Sequence, residues 1–291
     1  MRFFFGAMVA LALLAQQPSP EKEKEAPDFG FFCPMDKDIR SKGPGKCGKC
    51  GMKLIPEISD PVEYPVNLRL TPRVVKPGVP VDMEFRIEDP ANGKTVEKFE
   101  IVHEKLFHLF LVSEDLSFFA HEHPEYGAGG LFRFRTALPK PGAYRVVTDF
   151  FPVGGTPQMN ASTMFVAGKA EKARPLTVDV GPQKGENVEA SLVTEPAQPL
   201  AGFKTLMFFT LRGLDGELGL EQYLGAWGHM LAASGDLIDL VHTHPFIADG
   251  GPKVQFNMIF PREGVYRVWV QFQNKGKVNT VAFNVQVKAL R

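Results

Sequence analysis

Six of the chain's seven histidines fall into two copies of one spacing. His108, His121 and His123 are followed by Pro124, and His229, His242 and His244 by Pro245. Both copies read His-x12-His-x-His-Pro, displaced by 121 positions along the chain. A pattern kept at constant displacement marks a duplicated module, so the fold must accommodate one unit twice. The copies align beyond the histidines. PKPGAYRV, starting at Pro139, matches PREGVYRV, starting at Pro261, and Phe150 matches Phe272. The displacement has grown there to 122, so one residue is inserted between His244 and Pro261.

The unit reads as β-structure. Val66, Leu68 and Leu70 alternate with Asn67 and Arg69, and Val81, Met83, Phe85 and Ile87 alternate with Asp82, Glu84, Arg86 and Glu88. Strict period-two alternation is the mark of half-buried antiparallel strands. The 24 prolines and 28 glycines punctuate the chain too often for long helices. About seven short strands in about a hundred residues fit an immunoglobulin-like sandwich. The expected fold is therefore all-β, with two tandem immunoglobulin-like β-sandwich domains at 63–168 and 176–291, preceded by a small cysteine metal-binding segment. Gly168 to Pro175 reads as the linker. Gly142 with Tyr144, and Gly264 with Tyr266, fit the tyrosine corner of such folds.

Histidine is the commonest metal ligand. On one strand, residues i and i+2 share a face, so His121 pairs with His123 and His242 with His244. The segments LFHLFLV (106–112) and SFFAHEH (117–123) read as a hairpin turning at Glu114 and Asp115. Facing residue numbers then sum to 229, setting His108 opposite His121; in the second copy the turn falls at Gly235 and Asp236, the sum is 471 and His229 faces His242. Three imidazoles on one hairpin face can converge on an ion with bonds of about 2.0 Å. The proline after each triplet is expected to end the strand. Imidazole ligation suits Cu(II) or Zn(II) better than Cu(I). The rival reading makes the histidines structural, bonded to backbone carbonyls, and a smaller possibility is proton sensing. Met159, Met164 and Met230 offer soft donors, although methionine more often fills cores. Glu122 points away from its flanking histidines. His103 has Leu224 as its repeat equivalent and is expected to stand outside the site.

Cys33, Cys47 and Cys50 carry the spacing Cys-x13-Cys-x2-Cys. A Cys-x2-Cys knuckle presents two thiolates to one ion, and thiolate holds Cu(I), Ag(I) or Zn(II). Met35 and Met52 flank the cysteines as possible thioether donors. A redox pair or a structural zinc knuckle are the alternatives, but thioredoxin-type chemistry wants a βαβ context that is missing. Gly43 to Cys50 imitates a phosphate loop without the Ser or Thr, and without a strand before it or a helix after it. Residues 31–56 resemble the short heavy-metal-binding domain of copper- and silver-exporting P-type ATPases and of adaptor subunits of periplasmic metal-efflux systems. That family reads roughly Tyr-x-Cys-Pro-Met-His-Pro, then Pro-Gly-x-Cys-Pro-x-Cys-Gly-Met-x-Leu. The match runs through Cys33, Pro34, Met35, Pro44, Gly45, Cys47, Cys50, Gly51, Met52, Leu54 and Pro56. It departs at Asp36 and Lys37, where the family has His-Pro, and at Gly48, where it has Pro. The resemblance covers roughly a tenth of the chain. It implies heavy-metal binding, favours copper over zinc, and implies a membrane metal-efflux or metal-uptake system as a partner.

Arg2, the apolar run from Phe3 to Leu14 and the following Ala15 read as a signal peptide over residues 1–15, with an uncleaved anchor as the alternative. Residues 16–30, QQPSPEKEKEAPDFG, read as a flexible linker. A periplasmic or secreted protein follows. The 33 basic and 33 acidic residues balance, which speaks against a nucleic-acid partner. The functional expectation is a carrier that captures, buffers or transfers metal, without catalytic residues. A metal-dependent enzyme would need a proton acceptor. Asp149 is a candidate, but Gln271 stands at its repeat equivalent. The third possibility is an interaction module with histidines that bind no metal.

Overall fold

The computed structural model describes residues 31–32, 39–41, 43, 45–56 and 62–290. The apolar N-terminal run, the linker after it, Cys33 and Met35 lie outside the described residues. Every regular element among the described residues is a strand. The described residues divide into two units, those before Val62 and those from Val62 onward.

In the small unit, Phe31–Phe32 pairs with Arg40–Ser41 on one side and Ile55–Pro56 on the other. Cys47 is buried with Leu54, and Phe31 and Ile39 pack against them.

The large unit contains the duplication. In the first repeat, Val66–Thr71, Pro80–Ile87, Leu131–Ala137 and Glu125–Gly127 lie in that order in one sheet. Gln158–Val166, Gly142–Phe150, Phe107–Ser113 and Phe119–Glu122 make the other. The second repeat places Val188–Glu195, Lys204–Gly213, Lys253–Ile259 and Pro245–Ile247 in one sheet, with Gln183–Lys184 added at its edge. Its other sheet carries Lys277–Val287, Gly264–Asn274, His229–Ser234 and Leu240–Thr243. Each repeat is thus an immunoglobulin-like sandwich, as the alternation implies. Val81, Met83, Phe85 and Ile87 all point into the first core. Both tyrosine corners form. Tyr144 Oη donates to the Lys140 carbonyl at 2.9 Å, and Tyr266 Oη lies 3.1 Å from that of Arg262.

Two strands depart from alternation. Phe107–Ser113 and His229–Ser234 are buried at every position. Phe107, Leu109 and Leu111 enter their own core, while Phe110 and Val112 join an apolar cluster with Leu231, Ala233 and Trp269 of the other repeat. Met230 and Ala232 likewise face the second core. A strand covered on both faces reads as a continuous apolar run. The outer faces of these two sheets therefore pack against each other, and Phe119 stacks on Trp269 with ring centroids 4.9 Å apart.

The hairpin register differs from expectation by two residues. Phe110 pairs with His121 and Leu231 with His242, so facing numbers sum to 231 and 473, and continuing that register one step sets His108 toward His123 and His229 toward His244. The loops are longer because Leu116 and Leu237 adopt φ of 57° and 55° and tuck into the inter-repeat cluster. Ser113 Oγ and Ser234 Oγ donate to Asp115 and Asp236 at 2.5 Å, bracing each loop. A two-residue shift preserves the face of every side chain, so the triplets still share one surface. Pro124 and Pro245 mark where the chain leaves one sheet for the other: Glu125–Gly127 and Pro245–Ile247 pair with the opposite sheet of each sandwich.

Trp269→Ala removes the largest ring at the repeat–repeat contact. It is expected to cost about 3–5 kcal/mol, typical of a buried Trp truncation. Urea unfolding of the metal-free protein measures this.

Candidate metal centre

Histidines project from the outer sheet faces, so each triplet lies between the repeats and not on an open surface. His108 and His229 are each only 2% exposed. In each triplet the ligand atoms lie within 4.8 Å of one another. His108 Nδ1 is 3.1 Å from His121 Nε2 and 3.2 Å from His123 Nε2. In the second triplet His244 Nε2 is 3.0 Å from His229 Nδ1. A tetrahedral ion with bonds of about 2.0 Å holds its nitrogens about 3.3 Å apart, so these spacings match a single ion at each triplet.

Proton accounting sharpens this. Burial holds His108 down to about 4 and His123 and His229 to about 3, and pushes His121 and His244 below the usual imidazole range. A neutral imidazole has one N–H. His108 Nε2 donates its proton to the Val102 carbonyl at 3.0 Å. His121 Nδ1 donates to Gln271 Oε1 at 2.7 Å, while Gln271 Nε2 donates to Thr280 Oγ1. The two nitrogens that face each other across 3.1 Å are therefore bare lone pairs. In the second triplet His229 Nε2 donates to the Tyr223 carbonyl at 2.8 Å, and His242 Nδ1 donates to Asp149 Oδ2 at 2.6 Å. His242 Nε2 is left buried with no hydrogen-bond partner. Converging lone pairs in a buried site are costly unless a cation lies between them. A bond from each ring's other nitrogen to a carbonyl, amide or carboxylate is the usual outer shell of a histidine ligand.

The supporting carbonyls come from a duplicated turn. Val102 and Lys105 bond each other's backbones, as do Tyr223 and Ala226. The central residues have positive φ in both: His103 and Glu104 at 47° and 63°, Leu224 and Gly225 at 51° and 68°. His103 is in neither ligand group, yet its ring stacks on His244 of the other repeat at 3.5 Å between centroids. Its repeat equivalent gave no sign, since a turn tip can reach the opposite repeat without being part of the duplicated pattern.

Asp149 and Gln271 are the equivalent pair that speaks against a duplicated acid–base group, yet both serve the site. Each sits on the strand beside its own first histidine, Asp149 opposite His108 and Gln271 opposite His229, and each bonds the middle histidine of the other repeat. Met230 and Met164 are core residues, and Met159 is exposed away from either core. Glu122 lies opposite Leu109, on the face away from the histidines, and burial raises its carboxyl.

In the small unit the Cys-x2-Cys turn is tight. Cys47 N–H donates to the Met52 carbonyl and Gly51 N–H to that of Cys47, both at 2.8 Å. Gly51, with φ of 74°, supplies the left-handed residue that reverses the chain. Cys47 is buried, while Cys50 and Met52 are exposed.

Residues 61–168 and 183–289 match the family model described as Domain of unknown function (DUF8832), and residues 31–57 match that of a heavy metal binding domain. No curated protein matches the chain. Among solved structures it is similar to the Escherichia coli adhesin FdeC, at 14% identity over 82% of this chain and 71% of that one, with a TM-score of 0.27. It is also similar to the Yersinia pseudotuberculosis adhesin InvE, at 10% identity over 77% and 60%, with a TM-score of 0.24. Fibronectin(III)-like modules of Clostridium thermocellum CbhA match at 10% identity over 77% and 95%, with a TM-score of 0.21. Scores this low carry no argument about the site.

Asp149→Asn keeps the shape but removes the charge behind His242. It is expected to weaken metal binding at the second triplet about 10–100-fold, the usual cost of losing such a partner, measured by competition with a chelator. The metal-free fold should also be acid-sensitive. An unfolded chain takes up histidine protons near about 6.5, whereas His108, His123 and His229 take them up only at about 4 and 3. The unfolded state therefore binds more protons below about 6.5. This contribution is complete above that value and is lost as pH falls through the folded ones. Urea midpoints of the apoprotein should fall on going from neutral to acidic pH, and the drop should shrink in His108→Gln/His229→Gln.

Proposed function

On the premise that the chain belongs to the family described as Domain of unknown function (DUF8832), with its domain present twice, we propose that it captures and hands over a heavy-metal ion, copper by preference, outside the cytoplasm. The chain carries a heavy metal binding domain at residues 31–57. Cys33, Cys47 and Cys50, with Met35 and Met52 beside them, would hold a soft ion there. The two triplets, His108, His121 and His123 and His229, His242 and His244, would hold borderline ions such as Cu(II) or Zn(II). Uptake and release at each site would proceed by ligand exchange, thiolate suiting Cu(I) and imidazole Cu(II). The N-terminal run supports a location in the periplasm or outside the cell, and the family resemblance supports a membrane metal-efflux or uptake system as partner.

One observation carries the metal reading of the triplets: the bare nitrogens of His108 and His121 face each other across 3.1 Å while their protons are spent elsewhere. A purely structural role for these rings would need a proton in that gap. Three protein nitrogens also leave a position open on the ion, which handover requires.

The deciding measurement is metal content after equilibration with copper and with zinc. His121→Ala/His242→Ala is expected to lose the triplet-bound ions and Cys47→Ser/Cys50→Ser the thiolate-bound ion. Full stoichiometry in the histidine variant would return the triplets to a structural role. Bound ion should also raise thermal stability, by about 2.7 kcal/mol at a hundredfold excess over Kd.

A further inference from the structure

We propose that the six histidines form one dinuclear metal centre shared between the repeats, with a small anion from solvent bridging the two ions, and not two independent sites. This rests on the reading of the triplets as metal sites and deepens it.

Distance is the first argument. Rings from different triplets lie within the same few ångströms as rings of one triplet. His108 and His121 lie 5.5–6.4 Å from His229 and His242 between centroids. Centroids within a triplet are 4.5–6.2 Å apart. Rings this crowded would bring two ions within reach of one small bridging anion, as in two-metal sites whose ions lie about 3.5–4 Å apart.

Construction is the second. Neither triplet is complete inside its own repeat. His121 is oriented by Gln271 of the second, and His242 by Asp149 of the first. Phe110 makes one floor for both, 4.3 Å from His121 and 4.7 Å from His242.

Charge supplies the third. Two divalent ions this close repel strongly, and six imidazoles bring no negative charge. The carboxylate bonded to these rings is Asp149, whose oxygen is engaged by His242 Nδ1 and stands behind the ring. Each ion has three protein nitrogens and an open position. A hydroxide or similar small anion filling both positions completes the coordination and offsets the repulsion.

The halves differ. Asp149 and His103 attend the second triplet, and Gln271 braces the first. A carboxylate behind a histidine ligand raises its basicity, so the second triplet fills first.

Copper(II) alone is the probe, in the full chain carrying Cys33→Ser/Cys47→Ser/Cys50→Ser so that no thiolate holds or reduces it. Electron paramagnetic resonance is recorded along the titration. The first equivalent is expected to give an isolated copper spectrum of full intensity. The second should remove most of that signal, because a bridging anion couples the two spins. His244→Ala should retain the isolated spectrum at saturation. Two bound ions with full, isolated signal throughout would overturn the dinuclear centre and leave the metal reading standing. No bound copper at either triplet would overturn both.

Discussion

Buried imidazole nitrogens must each find a partner, and that requirement organises the contact between the repeats. The strands Phe107–Ser113 and His229–Ser234 are covered on both faces, so nothing on them can rely on water. His108, His121, His229 and His242 meet the demand by sending one nitrogen outward, to Val102, Gln271, Tyr223 and Asp149. The other nitrogens then converge. Burial beside the apolar cluster of Phe110, Leu231 and Trp269 opposes protonation of His108, His121 and His229. A cation is the species that satisfies several lone pairs at once in such surroundings.

Duplication made the scaffold twice, and divergence made the halves unlike. The turns at Val102 and Tyr223, the loops closed by Leu116 and Leu237, and the tyrosine corners recur with the same backbone. Among the changes are positions that cross to the other repeat. Asp149 answers to Gln271 and His103 to Leu224. A residue that serves its neighbour's site can vary without disturbing its own sandwich, so chemical asymmetry accumulates where the repeats touch.

The fold was largely legible in the sequence. Period-two patterning at Val81–Ile87 marks the sheet faces, and the repeated PxxGxY segments mark where the tyrosine corners form. The hairpin register was not, because Glu114–Asp115 looks like a complete two-residue turn until Leu116 finds an apolar cluster to enter. The error did no harm to the triplets, since a slip of two residues returns each side chain to the same face. The stacking of His103 on His244 was not legible for a different reason. Its neighbours in space belong to the other repeat, and neither spacing nor internal alignment reports a contact across that boundary.

The sequence by itself determined the duplication, the β-architecture and the grouping of three histidines on each hairpin face, because strand periodicity alone decides which side chains share a surface. Only the tertiary structure decided that the two faces meet. Packing of one sheet on another is set by shape and apolar area summed over many residues, and it brought Asp149, Gln271 and His103 to histidines more than ninety positions away.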